Sequence, residues 1–216
     1  MIDYHSYDDL IKNNSEWSER MVTNHSEFLK QLAGAQRPPF LYIACSDSRL
    51  PLDTYTQTIP GEMFVHRNIA NHVSLTDMNL LSVVEYAVFS LKVKHIILCG
   101  HYDCGGIKAA YHNTATGLVE NWLRPIKDII LSNREELDKI ESLTEKLNRI
   151  SEINVIQQLE NLLKSSILEK ALEEDKENYL HIHGWVLDLS KGKIIDIELP
   201  MQLWRSKGLI PPHHNL

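Results

Sequence analysis

Two short apolar runs, each cut off by polar residues and glycine, constrain this chain more than any other feature. Phe40 to Cys45 reads FLYIAC and is followed by Ser46-Asp47-Ser48-Arg49. His95 to Cys99 reads HIILC and is followed by Gly100-His101-Tyr102-Asp103-Cys104-Gly105-Gly106. A continuous run of this length, bounded by turn signals, reads as a strand buried on both faces, and such strands belong to parallel sheets covered by helices. Between them, Leu75, Met78, Leu81, Val84, Val88 and Leu91 recur at the spacing of one helix face, with Ser74 or Thr76 as the cap. Glu62 to Arg67 reads as a further strand. Tyr179 to Leu189 and Lys193 to Leu199 read as two strands joined by the Ser190-Lys191-Gly192 turn. This order predicts an α/β class: a central, mostly parallel β-sheet with an antiparallel edge, flanked by helices.

The remaining segments are expected to decorate that sheet. Residues 15–32, with Trp17, Met21, Phe28 and Leu32 at helical spacing, read as an amphipathic helix within an N-terminal arm, 1–35. Residues 118–177 contain one proline, Pro125, and many Leu, Ile, Glu, Lys and Asn. They read as two or three helices broken near 148–154, an elaboration without a core of its own. Residues 205–216 read as a loose tail. The whole, 1–216, is expected to be one domain, since 216 residues suit a single α/β unit.

Composition narrows the function classes. Twenty-two basic against 29 acidic residues give a net charge of −7, no electrostatic invitation to nucleic acid or an anionic membrane. No stretch approaches the ~20 apolar residues of a membrane span. The polar, mildly acidic MIDYHSYDDLIKNN start does not resemble a signal peptide. Three cysteines are no disulfide framework and suggest a reducing, cytoplasmic setting, while eleven histidines prompt a search for a metal site.

In open α/β sheets ligands bind beyond the carboxyl ends of the strands, which points to the residues after Cys45 and Cys99. Cys45, His101 and Cys104 offer two thiolates and an imidazole, a donor set that suits Zn2+ with a fourth position left to solvent. His101-x-x-Cys104 is a bidentate clip, and Cys45 arrives from the neighbouring strand end. Taken singly, each cysteine is as readily a small buried hydrophobe. Cys99, inside its apolar run, is assigned to the core. Positions 45, 47 and 49 of an extended segment share a side, so Asp47 reaches toward the same place and Arg49 pairs with it. Asp47 then has two possible jobs: fourth zinc ligand, or hydrogen-bond acceptor for the zinc-bound oxygen, kept ionised by Arg49. A plain surface ion pair worth under ~1 kcal/mol is the dull alternative.

CSDSR at 45–49 followed by CGHYDCGG at 99–106 resembles a β-class carbonic anhydrase. The similarity extends to Ala35-Gln36-Arg37-Pro38, GEMFVHRNIAN at 61–71, SVVEYAV at 82–88 and HGWVLD at 183–188. The resemblance implies Cys45, His101 and Cys104 as zinc ligands and Asp47–Arg49 as a catalytic dyad. It implies Gln36, Phe64 and Tyr86 around the substrate, partly from a partner subunit, in a homodimer or a homotetramer. The implied reaction is the reversible hydration of carbon dioxide to bicarbonate by zinc-bound hydroxide. A small apolar pocket is then expected, with Phe64, Val65 and Tyr86 as candidate walls, and the Gly105 N–H as a candidate donor to a product oxygen. Two thiolates cancel the charge of the ion, so a base-favoured activity profile is expected.

Some members carry a bicarbonate effector pocket of Trp, Arg and Tyr. Here the matching positions are Tyr42, Arg67 and Leu187, so bicarbonate regulation is expected to be weak or altered. Two other functions stay open on the same residues: hydrolysis of carbonyl sulfide or carbon disulfide, and a non-catalytic protein with structural zinc. Thiol redox chemistry lacks a Cys-x-x-Cys motif.

Overall fold

A computed structural model describes residues 5–177 and 179–214, in two compact units that divide after Gln36. In the first unit, α1 (Tyr7–Asn24) opens on a capping box: Ser6 Oγ accepts from the Asp9 N–H, and the Asp9 carboxylate accepts from the Ser6 N–H. This box starts the helix well before residue 15. The chain then breaks at His25 (φ −141°, ψ 37°) before α2 (Ser26–Leu32), so the single helix expected over 15–32 is two.

The second unit carries the sheet. Its elements are β1 (Phe40–Cys45), α3 (Leu52–Thr56), β2 (Met63–Asn68), α4 (Met78–Glu85), β3 (His95–His101), α5 (Gly105–His112), α6 (Gly117–Ser132), α7 (Arg134–Leu137), α8 (Leu143–Leu163), α9 (Ser166–Glu174), β4 (His181–Asp188), β5 (Lys193–Asp196) and α10 (Met201–Ser206). The strand order is β2-β1-β3-β4-β5; every pairing is parallel except β4 with β5. The expected fold class holds. Alternation along β1 divides the core. Leu41 and Ile43 join Ile96, Leu98, Ile182 and Val186 on one face, while Tyr42 and Ala44 join Ile97, Cys99 and Leu187 on the other. Chain order sends β1 to β2 on one side and to β3 on the other. The carboxyl ends of β1 and β3 therefore flank a topological switch point, where the strands leave a crevice.

Several boundaries differ from the sequence reading, each for a local reason. The cap of α4 is Asp77, which accepts from the N–H groups of Asn79 and Leu80, rather than Ser74 or Thr76. That helix runs on as a π-helical turn, Tyr86–Leu91. The break expected near 148–154 is the middle of α8. Its polar residues there, Ser151, Asn154 and Gln158, are buried and hydrogen-bonded, so polarity marks a packed face and not a turn. Residues 205–214 are docked and not loose. Trp204 is fully buried, and His214 Nε2 lies 2.9 Å from Asp175 Oδ2. Among the described residues no helix is long and apolar enough to cross a membrane.

Candidate metal centre

Cys45 closes β1, His101 closes β3, and Cys104 is the residue from which α5 starts. The sheet therefore delivers two of these side chains from adjacent strand ends, and the turn Tyr102–Asp103, with Asp103 at φ 61°, swings the third back toward them. All three are buried, and their ligand atoms lie within 4.8 Å of one another. Tetrahedral zinc spans its sulfur ligands by about 3.8 Å, so the cluster has the right size.

The donor chemistry fits a cation as well. His101 Nδ1 lies 2.9 Å from the Tyr102 carbonyl oxygen, which only accepts, so Nδ1 carries the proton. Nε2 is left as a bare lone pair, buried and without a hydrogen-bond partner. A buried acceptor in that state needs a ligand, and an imidazole anchored through Nδ1 is the usual form of a metal-binding histidine. The thiols are already polarised. Cys45 is held far below the usual thiol range, first by the hydrogen bond from Cys104 and then by the N–H groups of Asp47 and Ala70, against the opposing effect of burial. Cys104 is pushed up by that same hydrogen bond and by burial, although the Gly106 and Ile107 N–H groups at the start of α5 pull the other way. Cys99 stands apart. It is a core residue whose thiol is pushed up to about 12 by burial.

Beside the cluster, Asp47 is gripped by Arg49. Nε donates to Oδ1 at 2.9 Å, a terminal nitrogen donates to Oδ2 at 2.7 Å, and the Arg49 backbone N–H donates to Oδ1 at 2.9 Å. These bonds hold the Asp47 carboxyl far below the usual carboxylate range. Asp47 Oδ2 is 3.8 Å from His101 Nε2, facing the site yet too far for a direct hydrogen bond. Both Asp47 oxygens are thus engaged by Arg49.

Three further side chains build this corner: Asp103 and Lys108, which the sequence did not single out, and Arg67, which it offered only for an effector pocket. Arg49 also donates to Asp103 Oδ2 at 2.9 Å and to the Asp103 carbonyl at 3.2 Å, and Lys108 pairs with the same carboxylate. Arg67 donates to the carbonyls of Cys45 (2.9 Å) and Asp47 (2.6 Å), pinning the segment that carries both. Asp103 sits inside the GHYDCGG stretch, but nothing in that spacing says where its carboxylate turns.

The family profile described as carbonic anhydrase matches residues 40–194. This chain belongs to the β-class carbonic anhydrases. It is 41% identical to a carbonic anhydrase of Emericella nidulans, over 90% of this chain and 84% of that one, and 37% identical to one of Pseudomonas aeruginosa, over 86% and 85%. Among solved structures it resembles a tetrameric β-carbonic anhydrase of Sordaria macrospora (TM-score 0.83, 39% identity, 88% and 95% covered). It also resembles a β-carbonic anhydrase of Aspergillus fumigatus (TM-score 0.85, 33% identity, 95% and 99% covered).

The remaining β-class positions are placed as follows. Phe64 and Tyr86 meet, with ring centroids 5.8 Å apart. Val65, the next residue along β2, points to the other face and lines a separate cavity of about 330 Å³ with Tyr42 and Arg67. Gly105 is exposed at the first turn of α5, and Gln36 closes the N-terminal unit. At the effector position, Tyr42 is buried with its hydroxyl turned to Cys99, Leu187 offers no donor, and Arg67 is engaged by the carbonyls named above.

Proposed function

We propose that this protein catalyses the reversible reaction of carbon dioxide with water to give bicarbonate and a proton, with zinc held by Cys45, His101 and Cys104. One observation carries the reading. The buried, unpartnered Nε2 of His101 faces two thiols, with an arginine-locked carboxylate at their side. Zinc bound there supplies Lewis acidity that lowers the pKa of a water molecule toward neutrality. The chain's own residues do the rest. Ionised Asp47 accepts a hydrogen bond from the attacking water and turns a lone pair toward the carbon. Arg49 withholds Asp47 from the metal and keeps its second oxygen aimed. The exposed Gly105 N–H, at the positive end of α5, offers a donor to the developing bicarbonate oxygen. Phe64 and Tyr86 supply apolar wall for an apolar substrate, and Gln36 is a further substrate-contact candidate to be tested by substitution; Val65, on the opposite face of β2, is not proposed as a wall.

The active form is proposed to be a homodimer or homotetramer, supported by the tetrameric Sordaria relative. A cytoplasmic setting suits three free, buried thiols, two of them needed reduced. The chain is read as one catalytic domain with a helical arm.

The test is metal analysis with stopped-flow assay of carbon dioxide hydration, run beside carbonyl sulfide and carbon disulfide. About one zinc per chain is expected, lost in Cys45→Ser and retained in Asp47→Ala. Asp47→Ala should turn over at least about 100-fold more slowly. Full activity in Asp47→Ala removes the dyad from the mechanism, and turnover of only the sulfur substrates overturns the reading.

A further inference from the structure

Residues 69–73 begin the link from β2 to α4 and run beside the metal cluster, where Ala70 meets Cys45. Ala70 and Asn71 take left-handed backbone there, φ 61° and 45°, which is costly for a residue with a Cβ. The segment is held in that shape by side chains at many of its backbone polar groups. Asn68 donates to the His72 carbonyl and accepts from its N–H, and Trp122 donates to the Ile69 carbonyl. Gln158 accepts from the Val73 N–H, and Asn161 donates to the Val73 carbonyl. At the centre, Asn154 Nδ2 donates to the Ala70 carbonyl at 3.1 Å, while its Oδ1 accepts from Gln158 Nε2 at 2.9 Å. The result is that the Ala70 N–H donates to Cys45 Sγ at 3.4 Å.

Asn154 and Gln158 sit four apart on α8, on one face, and both are completely buried. Helix α8 comes close enough to do this because β3 carries glycine where they cross. A Cβ at Gly100, next to His101, would lie 2.8 Å from Val155 Cγ2. Ala70 is gripped from the opposite side too, since a Cβ at Gly106 would lie 2.9 Å from the Ala70 Cβ. Two amides in an apolar layer are a costly choice unless their geometry matters. Here they end, through one residue of strained backbone, on a sulfur of the metal cluster.

We propose that Asn154 is a positioning residue of the metal centre. Its amide, aligned by Gln158, holds Ala70 in the left-handed conformation that aims the Ala70 N–H at Cys45 Sγ, and so sets how strongly that sulfur holds zinc. The helix that surrounds the site thus tunes it, without touching metal or substrate. The inference rests on Cys45 being a zinc ligand.

The test uses the full-length protein. Asn154→Asp keeps the shape and loses the donor to Ala70. Zinc affinity is measured by chelator competition, and the cobalt-substituted protein reports the thiolate-to-metal charge-transfer band. The expected result is a loss of about 10-fold or more in affinity, the usual scale for such outer partners, with the band moving to lower energy because the sulfur has lost a hydrogen bond. Gln158→Met should shift both readouts the same way and by less, and serves if Asn154→Asp does not fold. Ser151→Ala, on the same buried face but with its hydroxyl donating to Leu147 of its own helix, should leave both readouts unmoved. Replacing Ala70 by glycine, which accepts φ 61° without strain, should recover most of the loss in the Asn154→Asp background. Affinity and band both unchanged in Asn154→Asp and Gln158→Met, with a parent that binds zinc and is active, overturn this inference alone. A parent that binds no zinc overturns it together with the proposed function.

Discussion

Arg49 separates two uses of one carboxylate. It holds both oxygens of Asp47, and in the proposed reaction this keeps them off the metal and leaves the carboxylate as an oriented acceptor. The geometry depends on a planar, forked cation, which lysine cannot imitate. Arg49→Lys is therefore expected to retain zinc while losing about 100-fold in kcat/KM, the low end for an acid–base group. Metal content and stopped-flow rates measured together check this. A variant with parent activity would show that the fork is dispensable. Asp103 and Lys108 anchor the far side of the same guanidinium, so their substitution should produce a weaker version of the same defect.

At the scale of elements, α8 does more than fill the space beside the sheet. It lies against β3 and β4 through Gly100 and Gly184, where an added Cβ would meet α8 side chains at 2.8 and 3.1 Å. Gly100→Ala has no flexible neighbour to displace, only the buried Val155, so it should cost about 1–3 kcal/mol, as overpacking does. Denaturant unfolding measures this, and a neutral effect would mean that α8 is free to shift. The same helix is tied to α10 by Glu160, which accepts from Trp204 Nε1 and pairs with Lys164 and Lys207. Burial pushes the Glu160 carboxyl up, but the hydrogen bonds from the two lysines outweigh it and hold it below its usual value. A carboxyl lowered in the folded state stabilises above its unfolded pKa, and that contribution fades as pH falls through the folded value. Glu160→Gln should therefore cost about 1–3 kcal/mol at neutral pH, with the gap to the parent closing below about pH 4. A gap that persists in acid would assign the cost to packing alone.

At the scale of the whole molecule, the doubly wound order places every candidate ligand at one end of the sheet, and the effector position beside Tyr42 is built differently from a Trp-Arg-Tyr pocket. With Arg67 engaged by two backbone carbonyls and Leu187 without a donor, bicarbonate should inhibit weakly and hyperbolically, as a product. Strongly sigmoidal inhibition in initial-rate measurements would contradict this. Activity should also rise toward alkaline pH, because two thiolates offset the charge of the ion and acidify its water less than neutral ligands do. A profile flat from about pH 6 to 9 would count against that.

Much of this architecture is legible in the amino-acid sequence alone. The runs FLYIAC and HIILC announce buried strands because only a sheet covered on both faces tolerates them, and Cys45, His101 and Cys104 follow as a cluster because strand ends converge at a switch point. These are local patterns joined by one topological rule. Tertiary structure alone decided the rest. It showed that polar residues near 151–158 line a core instead of breaking a helix, and that Val65 shares a cavity with Tyr42 and Arg67. It showed that Arg67 serves the Cys45–Asp47 backbone, and that Asn154 reaches Ala70, 84 positions away. Short-range periodicity cannot carry such facts, because the partner of a buried amide or guanidinium is chosen by how distant elements pack and not by its neighbours in the chain.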